Sequence, residues 1–127
     1  MRVLIATDSV HTTAAACDYL EPRLDGDDAV AVVTVPTDEA RDAADALNVA
    51  TARLLGRAEV ETARLDAGGG DDDTADAILA TVEDRSPDTV VVGRHAGAPG
   101  SGPGLGETAR RVVEGLDVPV VVVVPSV

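Results

Sequence analysis

Short apolar runs alternate along the chain with longer segments in which apolar side chains recur every three or four positions. Runs of the first kind predict strands, and segments of the second kind predict helices. The strands fall at residues 3–7, 29–35, 59–65, 89–92 and 118–124. The helices fall at residues 12–20, between Asp38 and Gly56, and at 74–84 and 107–116. This alternation is typical of parallel βαβ units, so the pattern predicts one α/β domain over residues 1–127, a doubly wound, open parallel sheet of five strands with right-handed connections.

Two segments interrupt the pattern. Three aspartates at 71–73 follow three glycines and predict a loop that runs into a helix cap. The alternative, a metal site, lacks the ligand spacing of a calcium loop. Residues 93–106 hold six of the twelve glycines and two prolines, and form the low-complexity stretch of the chain.

The charge of the chain limits its partners. There are 23 acidic residues against 10 basic ones, every basic residue is Arg, and the formal net charge is −13. A chain with this balance cannot easily form the basic face that a nucleic-acid partner requires. The Asp-rich, Lys-free composition resembles that of proteins from haloarchaea and other extreme halophiles, which keep molar salt in the cytoplasm; the alternative is an ordinary acidic protein from an organism with a GC-rich genome.

Other classes of site and location are excluded on similar grounds. The single cysteine, Cys17, falls in a predicted helix among alanines and predicts a small buried side chain rather than a reactive thiol. His11 and His95 have no recognisable nucleophile or orienting acid, so we predict no catalytic residues, no enzyme activity and no metal site. No apolar run approaches the roughly 20 residues of a membrane span, and the apolar run before Asp8 is too short for a signal peptide. We therefore expect a cytoplasmic protein without a membrane partner.

Two features are expected to meet at the carboxyl edge of the sheet, where ligands bind in doubly wound folds. Thr7, Asp8 and Ser9 end the first strand, and an Asp in this position can accept hydrogen bonds from a ribose or a base. A glycine-rich loop begins at Gly93 after the fourth strand and leads to a helix, an arrangement that suits phosphate because the free N–H groups and the helix dipole both favour an anion. The alternative for this loop is a flexible connection without a ligand.

The residues at these positions resemble the universal stress protein family over nearly the whole chain. The similarity rests on Val-Leu-Ile-Ala-Thr-Asp-Ser at 3–9, Pro-Asp-Thr-Val-Val-Val-Gly at 87–93, Leu-Gly-Glu-Thr-Ala at 105–109 and Val-Pro followed by four valines at 118–123. The resemblance implies a Rossmann-like, nucleotide-binding sheet of order 3-2-1-4-5, with Asp8 on the nucleotide and Val35 near the adenine. It implies ATP or AMP as the cofactor, with Mg²⁺ accompanying the nucleotide. The implied binding residues are Thr7, Asp8, Ser9, Val35, Gly93, Arg94, His95, Gly97, Gly106, Glu107 and Thr108.

The chain departs from the family's nucleotide motif at two positions. ATP-binding members have a glycine, two residues, a second glycine, nine residues and then Gly-Ser or Gly-Thr. Gly93 and Gly106 keep the overall separation of thirteen, but Ala96 replaces the second glycine and Glu107 replaces the hydroxyl residue. Thr108 keeps a hydroxyl one position later, which along a helix points it about 100° away.

These observations predict a dimeric regulatory module that binds ATP or a related adenine nucleotide weakly. The alternative is a stress-response protein of the same fold that binds unknown protein partners and no nucleotide. The apolar last strand, from Val118 to Val124, is expected to pair with its symmetry mate in a homodimer, because an unpaired edge strand without charges invites aggregation.

Overall fold

The computed structural model describes residues 1–7, 10–34, 40–65, 71–93 and 107–124, with the backbone alone at 40–43, 71–74 and 107–109. Strands and helices alternate throughout. The strands are β1 (Arg2–Thr7), β2 (Ala29–Thr34), β3 (Glu59–Arg64), β4 (Thr89–Gly93) and β5 (Val120–Val123). The helices are α1 (Val10–Leu20), α2 (Ala40–Leu54), α3 (Asp71–Arg85) and α4 (Glu107–Gly115).

The sheet has the order β3-β2-β1-β4-β5, and each neighbouring pair of strands is parallel. The predicted fold class and strand order are therefore confirmed. β3, whose charged residues are exposed, lies at one edge, and β5 lies at the other. The reversal of strand order between β1 and β4 places the carboxyl ends of these two strands side by side.

Helices cover both faces of the sheet, which is why the central strands are apolar without alternation. On one face α1 and α2 pack on Val3, Ile5, Val30 and Val32. On the other face α3 and α4 pack on the residues in between, such as Leu4 and Val90. Valine, alanine and leucine fill both layers, as the absence of Phe and Trp requires. Each fully buried valine or leucine contributes about 1.5–3 kcal/mol, so this core does not depend on aromatic side chains.

Several boundaries differ from those predicted. α1 begins at Val10, two residues before the predicted start. The aspartates at 71–73 form the first turn of α3 rather than a loop, in the position where the helix dipole favours negative charge. β5 begins at Val120 rather than at residue 118, because Pro119 has no N–H for the ladder, although its carbonyl accepts a hydrogen bond from Val90 N–H at 3.0 Å.

Cys17 lies on the side of α1 that faces the sheet and is buried, as predicted. Burial raises the pKa of the Cys17 thiol to about 11, so the thiol stays protonated at neutral pH. Arg53 ties α2 to α1 nearby, with Nη2 lying 2.7 Å from an Asp18 oxygen and Nε donating to Glu21 at 2.9 Å. No local pattern indicates this link, since the partners lie more than thirty residues apart in the chain.

None of the helices within the described ranges is both long enough and apolar enough to cross a bilayer.

Candidate functional site

Part of the predicted binding set lies in the described residues. Thr7 ends β1 and Gly93 ends β4. Glu107 and Thr108 open α4, where the backbone alone is described. The remaining predicted residues, Asp8, Ser9, Val35, Arg94, His95, Gly97 and Gly106, lie outside the described residues, and so does Ala96.

Three strand ends meet at the carboxyl edge. Thr7 is in register with Thr34, the last residue of β2, and Ala6 is in register with Val92, so Gly93 follows on the other side of Thr7. α1 starts three residues after β1 ends and brings its first turn over the same edge. The topology thus collects β2, β1, β4 and the start of α1 at one place.

Four buried threonines occupy this place, and we call them the threonine cluster: Thr7, Thr12, Thr13 and Thr34. Each is at most 3% exposed. Thr13 Oγ1 donates a hydrogen bond to Thr7 Oγ1 at 3.0 Å. Thr7 and Thr34 lie on the face of the sheet that α1 covers, since residues two positions apart on a strand share a face with Ile5 and Val32. The result is a polar end to an otherwise apolar layer.

Sequence reasoning singled out Thr7 but missed the other three threonines. Thr is an ordinary strand residue, so Thr34 at the end of a valine run looked like a strand former. The signal available in the sequence was the presence of hydroxyl residues at the ends of β1 and β2 and near the start of α1.

Position 93 needs a glycine because a side chain there would have no room, and not because of the backbone conformation. A Cβ built at Gly93 would lie 2.8 Å from both Cγ2 and Oγ1 of Thr12. Thr12 is itself buried, so its side chain cannot swing out into solvent. The contact therefore holds the first turn of α1 directly against the end of β4, where the glycine-rich segment begins.

We expect Gly93→Ala to destabilise the protein by about 1–3 kcal/mol, the usual cost of overpacking a buried site. Thr12→Ala removes the two atoms in the clash. The double variant should therefore lose at least about 0.5 kcal/mol less free energy of unfolding than the two single losses added together, as is usual for residues in contact. Urea unfolding of the four proteins measures this coupling. Strict additivity would contradict the close approach of α1 to β4.

α4 opens at Glu107, so this residue stands at the positive end of the helix dipole, as predicted. α4 lies beside α3, and Nη2 of Arg111 is 3.4 Å from an Asp76 oxygen, an exposed ion pair of the kind that contributes little to stability.

Two cavities in the described part of the molecule lie away from this edge. One of about 460 Å³ sits at the amino ends of the strands, between Arg2 and the bidentate Arg85–Glu61 ion pair. Another of about 420 Å³ lies between the carboxyl ends of α3 and α4, near Glu83 and Asp117. Neither contains a residue of the predicted site.

No cluster of three or more His, Cys, Asp or Glu that could hold a metal ion occurs among the described residues. His11 lies exposed in the first turn of α1, and His95 lies outside the described ranges.

The sequence profile of the Universal stress protein family matches residues 1–124. No curated protein matches the chain in sequence. Among solved structures, the chain is similar to the hypothetical protein MJ0577, with a TM-score of 0.78 and 17% identity over 99% of this chain and 96% of that one. It is similar to a universal stress protein from Archaeoglobus fulgidus, with a TM-score of 0.69 and 20% identity over 97% and 98% of the two chains. It is also similar to a universal stress protein in complex with cAMP, with a TM-score of 0.69 and 18% identity over 99% and 98%. At these identities the structural likeness establishes the fold.

Proposed function

The chain belongs to the universal stress protein family, and from that premise we propose that it is a regulatory module that binds an adenine nucleotide at the carboxyl edge of its sheet. The observation that carries the proposal is the threonine cluster beside Gly93. Buried hydroxyls at the meeting point of three strand ends supply directional hydrogen-bonding groups where doubly wound folds bind ligands.

The surroundings of the cluster support a nucleotide rather than another ligand. Gly93 ends β4, and Thr12 fills the space that a side chain at position 93 would need, so the first turn of α1 lies directly against the start of the glycine-rich segment. α4 begins after the glycine-rich segment and offers the N–H groups and dipole that favour phosphate. One structural relative is a complex with cAMP, which contains both adenine and phosphate. We propose ATP or AMP as the ligand, with Mg²⁺ accompanying the phosphates.

We propose a binding role without catalysis. A threonine hydroxyl is a weak nucleophile unless a base activates it. The thiol of Cys17 is buried, and its raised pKa of about 11 keeps it protonated. On this proposal, prolonged incubation with ATP releases no ADP above the protein-free blank.

Equilibrium dialysis of the full chain with radiolabelled ATP, at low salt and in molar KCl, tests the proposed function. We expect saturable binding that is tighter in molar KCl, that unlabelled AMP competes away, and that UTP competes away poorly. Absence of saturable binding at both salt concentrations would leave the second candidate, an interaction protein that binds no nucleotide. The position of Glu107 at the start of α4 favours that candidate, because this residue adds a negative charge to the helix terminus that is proposed to bind phosphate.

We further propose that the protein is a homodimer joined through β5. β5 pairs with β4 on one side, and no described strand pairs with its other side. The opposite edge strand, β3, carries exposed Glu59 and Glu61, which discourage edge pairing, whereas β5 has valines alone. Val124 follows β5 and is 60% exposed. Pairing of two β5 strands would cover this edge in an isologous contact.

We expect Val124→Lys to convert the dimer to a monomer, because it places two like charges at the proposed interface. Val124 is preferable to Val122, whose side chain packs against the core under α3 and α4 and would report on folding as well. Leu55→Lys, at a residue 72% exposed beside the other edge of the sheet, is the matched control and should stay dimeric. Light scattering distinguishes these states, and an unchanged dimer in both variants would place the interface elsewhere.

A further inference from the structure

Thr34 differs from its neighbours in the threonine cluster. It is 1% exposed, and its Oγ1 has no hydrogen-bond partner among the described residues. Thr7 and Thr13, one strand and one turn away, are bonded to each other. Buried hydroxyls in native proteins nearly always have a partner, so an unpartnered one needs an explanation.

Thr34 is held in place by its backbone, whereas its hydroxyl has no partner among the described residues. Its carbonyl accepts a hydrogen bond from Leu65 N–H at 2.7 Å, and its backbone is in register with Thr7 on one side and Arg64 on the other. Thr34 is the last residue of β2, so a ligand bound at the carboxyl edge of the sheet lies at the end of the strand that carries this hydroxyl.

The position of Thr34 relative to Gly93 suggests which part of a ligand reaches it. Thr34 ends β2 and Gly93 ends β4, with β1 between them. Neighbouring strands are about 4.8 Å apart, so these two ends are separated by roughly 10 Å along the edge. A nucleotide with its phosphates at the β4 side can extend its base toward β2 over such a distance.

We propose that Thr34 is a specificity-determining residue whose hydroxyl bonds the purine base of the bound nucleotide. A hydroxyl can both donate and accept, so it can serve a ring nitrogen or the exocyclic amine of adenine. Because the bond forms away from water, a ligand that lacks the matching group leaves the hydroxyl unpaired and is rejected. This inference rests on the proposed nucleotide function.

Two substitutions at Thr34 separate a binding role from a structural one. Thr34→Val keeps the branched shape and removes the unpartnered hydroxyl, so ATP affinity should fall about threefold to tenfold while the melting temperature holds or rises. Thr34→Ser keeps the hydroxyl and removes a buried methyl, so ATP affinity should stay within about twofold while the melting temperature falls. Thr62→Val, at an exposed threonine on the neighbouring strand β3, is the control and should bind ATP like the wild type.

Calorimetric titration with ATP in molar KCl and thermal unfolding of the same samples give both readouts. The proposal is supported if the Val variant loses ATP affinity while the Ser variant keeps it, and if the Val variant nevertheless melts at a higher temperature than the Ser variant. If the wild type binds ATP and the Val variant binds it equally well, the hydroxyl has another partner, such as a buried water, and this inference fails while the proposed function stands. If the Val variant loses both affinity and stability, Thr34 is structural and the inference also fails. If the wild type binds no ATP, the proposed function itself fails.

Discussion

The midpoint of thermal unfolding should rise by about 10 °C or more between low salt and molar KCl. The chain carries 23 acidic and 10 basic residues, and its charge of −13 opposes the compact state through self-repulsion. The screening length falls from about 10 Å at 0.1 M salt to about 3 Å at 1 M, which removes most repulsion between exposed carboxylates. Relief of about 3 kcal/mol corresponds to about 10 °C for a domain of this size.

A control is needed to show that the higher unfolding midpoint in KCl comes from the screening of charges. Sucrose favours the compact state by exclusion from the protein surface and does not screen charge, so it serves as the control. We expect sucrose to raise the midpoint much less than KCl does. A midpoint that stays flat or falls with added KCl would contradict the inference that this composition is an adaptation to high salt.

The architecture could be predicted because the central strands of this sheet are short apolar runs that are covered on both faces. That pattern appears directly in the sequence at β1, β2 and β4, where most residues are buried. Helix ends were harder to place, because residues such as Val10 and Asp71 carry no periodic apolar signal. The start of β5 was misplaced because apolar character continues through Pro119 while the hydrogen-bond ladder does not.

The candidate site could be predicted in location but not in composition. Loops at the carboxyl edge of a parallel sheet suffice to place it, and Thr7 and Gly93 were found in this way. The partners of these two residues depend on the register of β1 with β2 and on the approach of α1 to β4. Local sequence shows hydroxyl residues at the ends of these elements but does not show that they meet, so the structure was needed to bring Thr12 and Thr34 into the site.

The second large effect is expected on ATP affinity when Glu107 is substituted. This residue replaces a hydroxyl residue of the family's nucleotide motif at the first position of α4. A helix N-terminus prefers an anion by about 0.3–1 kcal/mol, and a carboxylate in the first turn supplies one without any ligand. A phosphate brought to the same place would be repelled: two like charges about 4 Å apart cost roughly 1 kcal/mol in water and about 4 kcal/mol near a protein surface. On this hypothesis the wild type mimics a ligand-bound state and responds to its own abundance or partners rather than to nucleotide concentration.

Glu107→Ser should therefore tighten ATP binding by about tenfold or more, since each 1.4 kcal/mol of relieved repulsion is a factor of about ten in the dissociation constant. Glu114→Ser makes the same change in net charge at an exposed residue near the other end of α4, about 10 Å away along the helix axis, and should leave the affinity nearly unchanged. Titrations in molar KCl, where all three proteins are expected to be folded, allow the comparison, and a repeat at lower salt should widen the gap because the repulsion is then less screened. Micromolar ATP binding by the wild type, or equal gains in the two variants, would show that the carboxylate of Glu107 does not occupy the phosphate position.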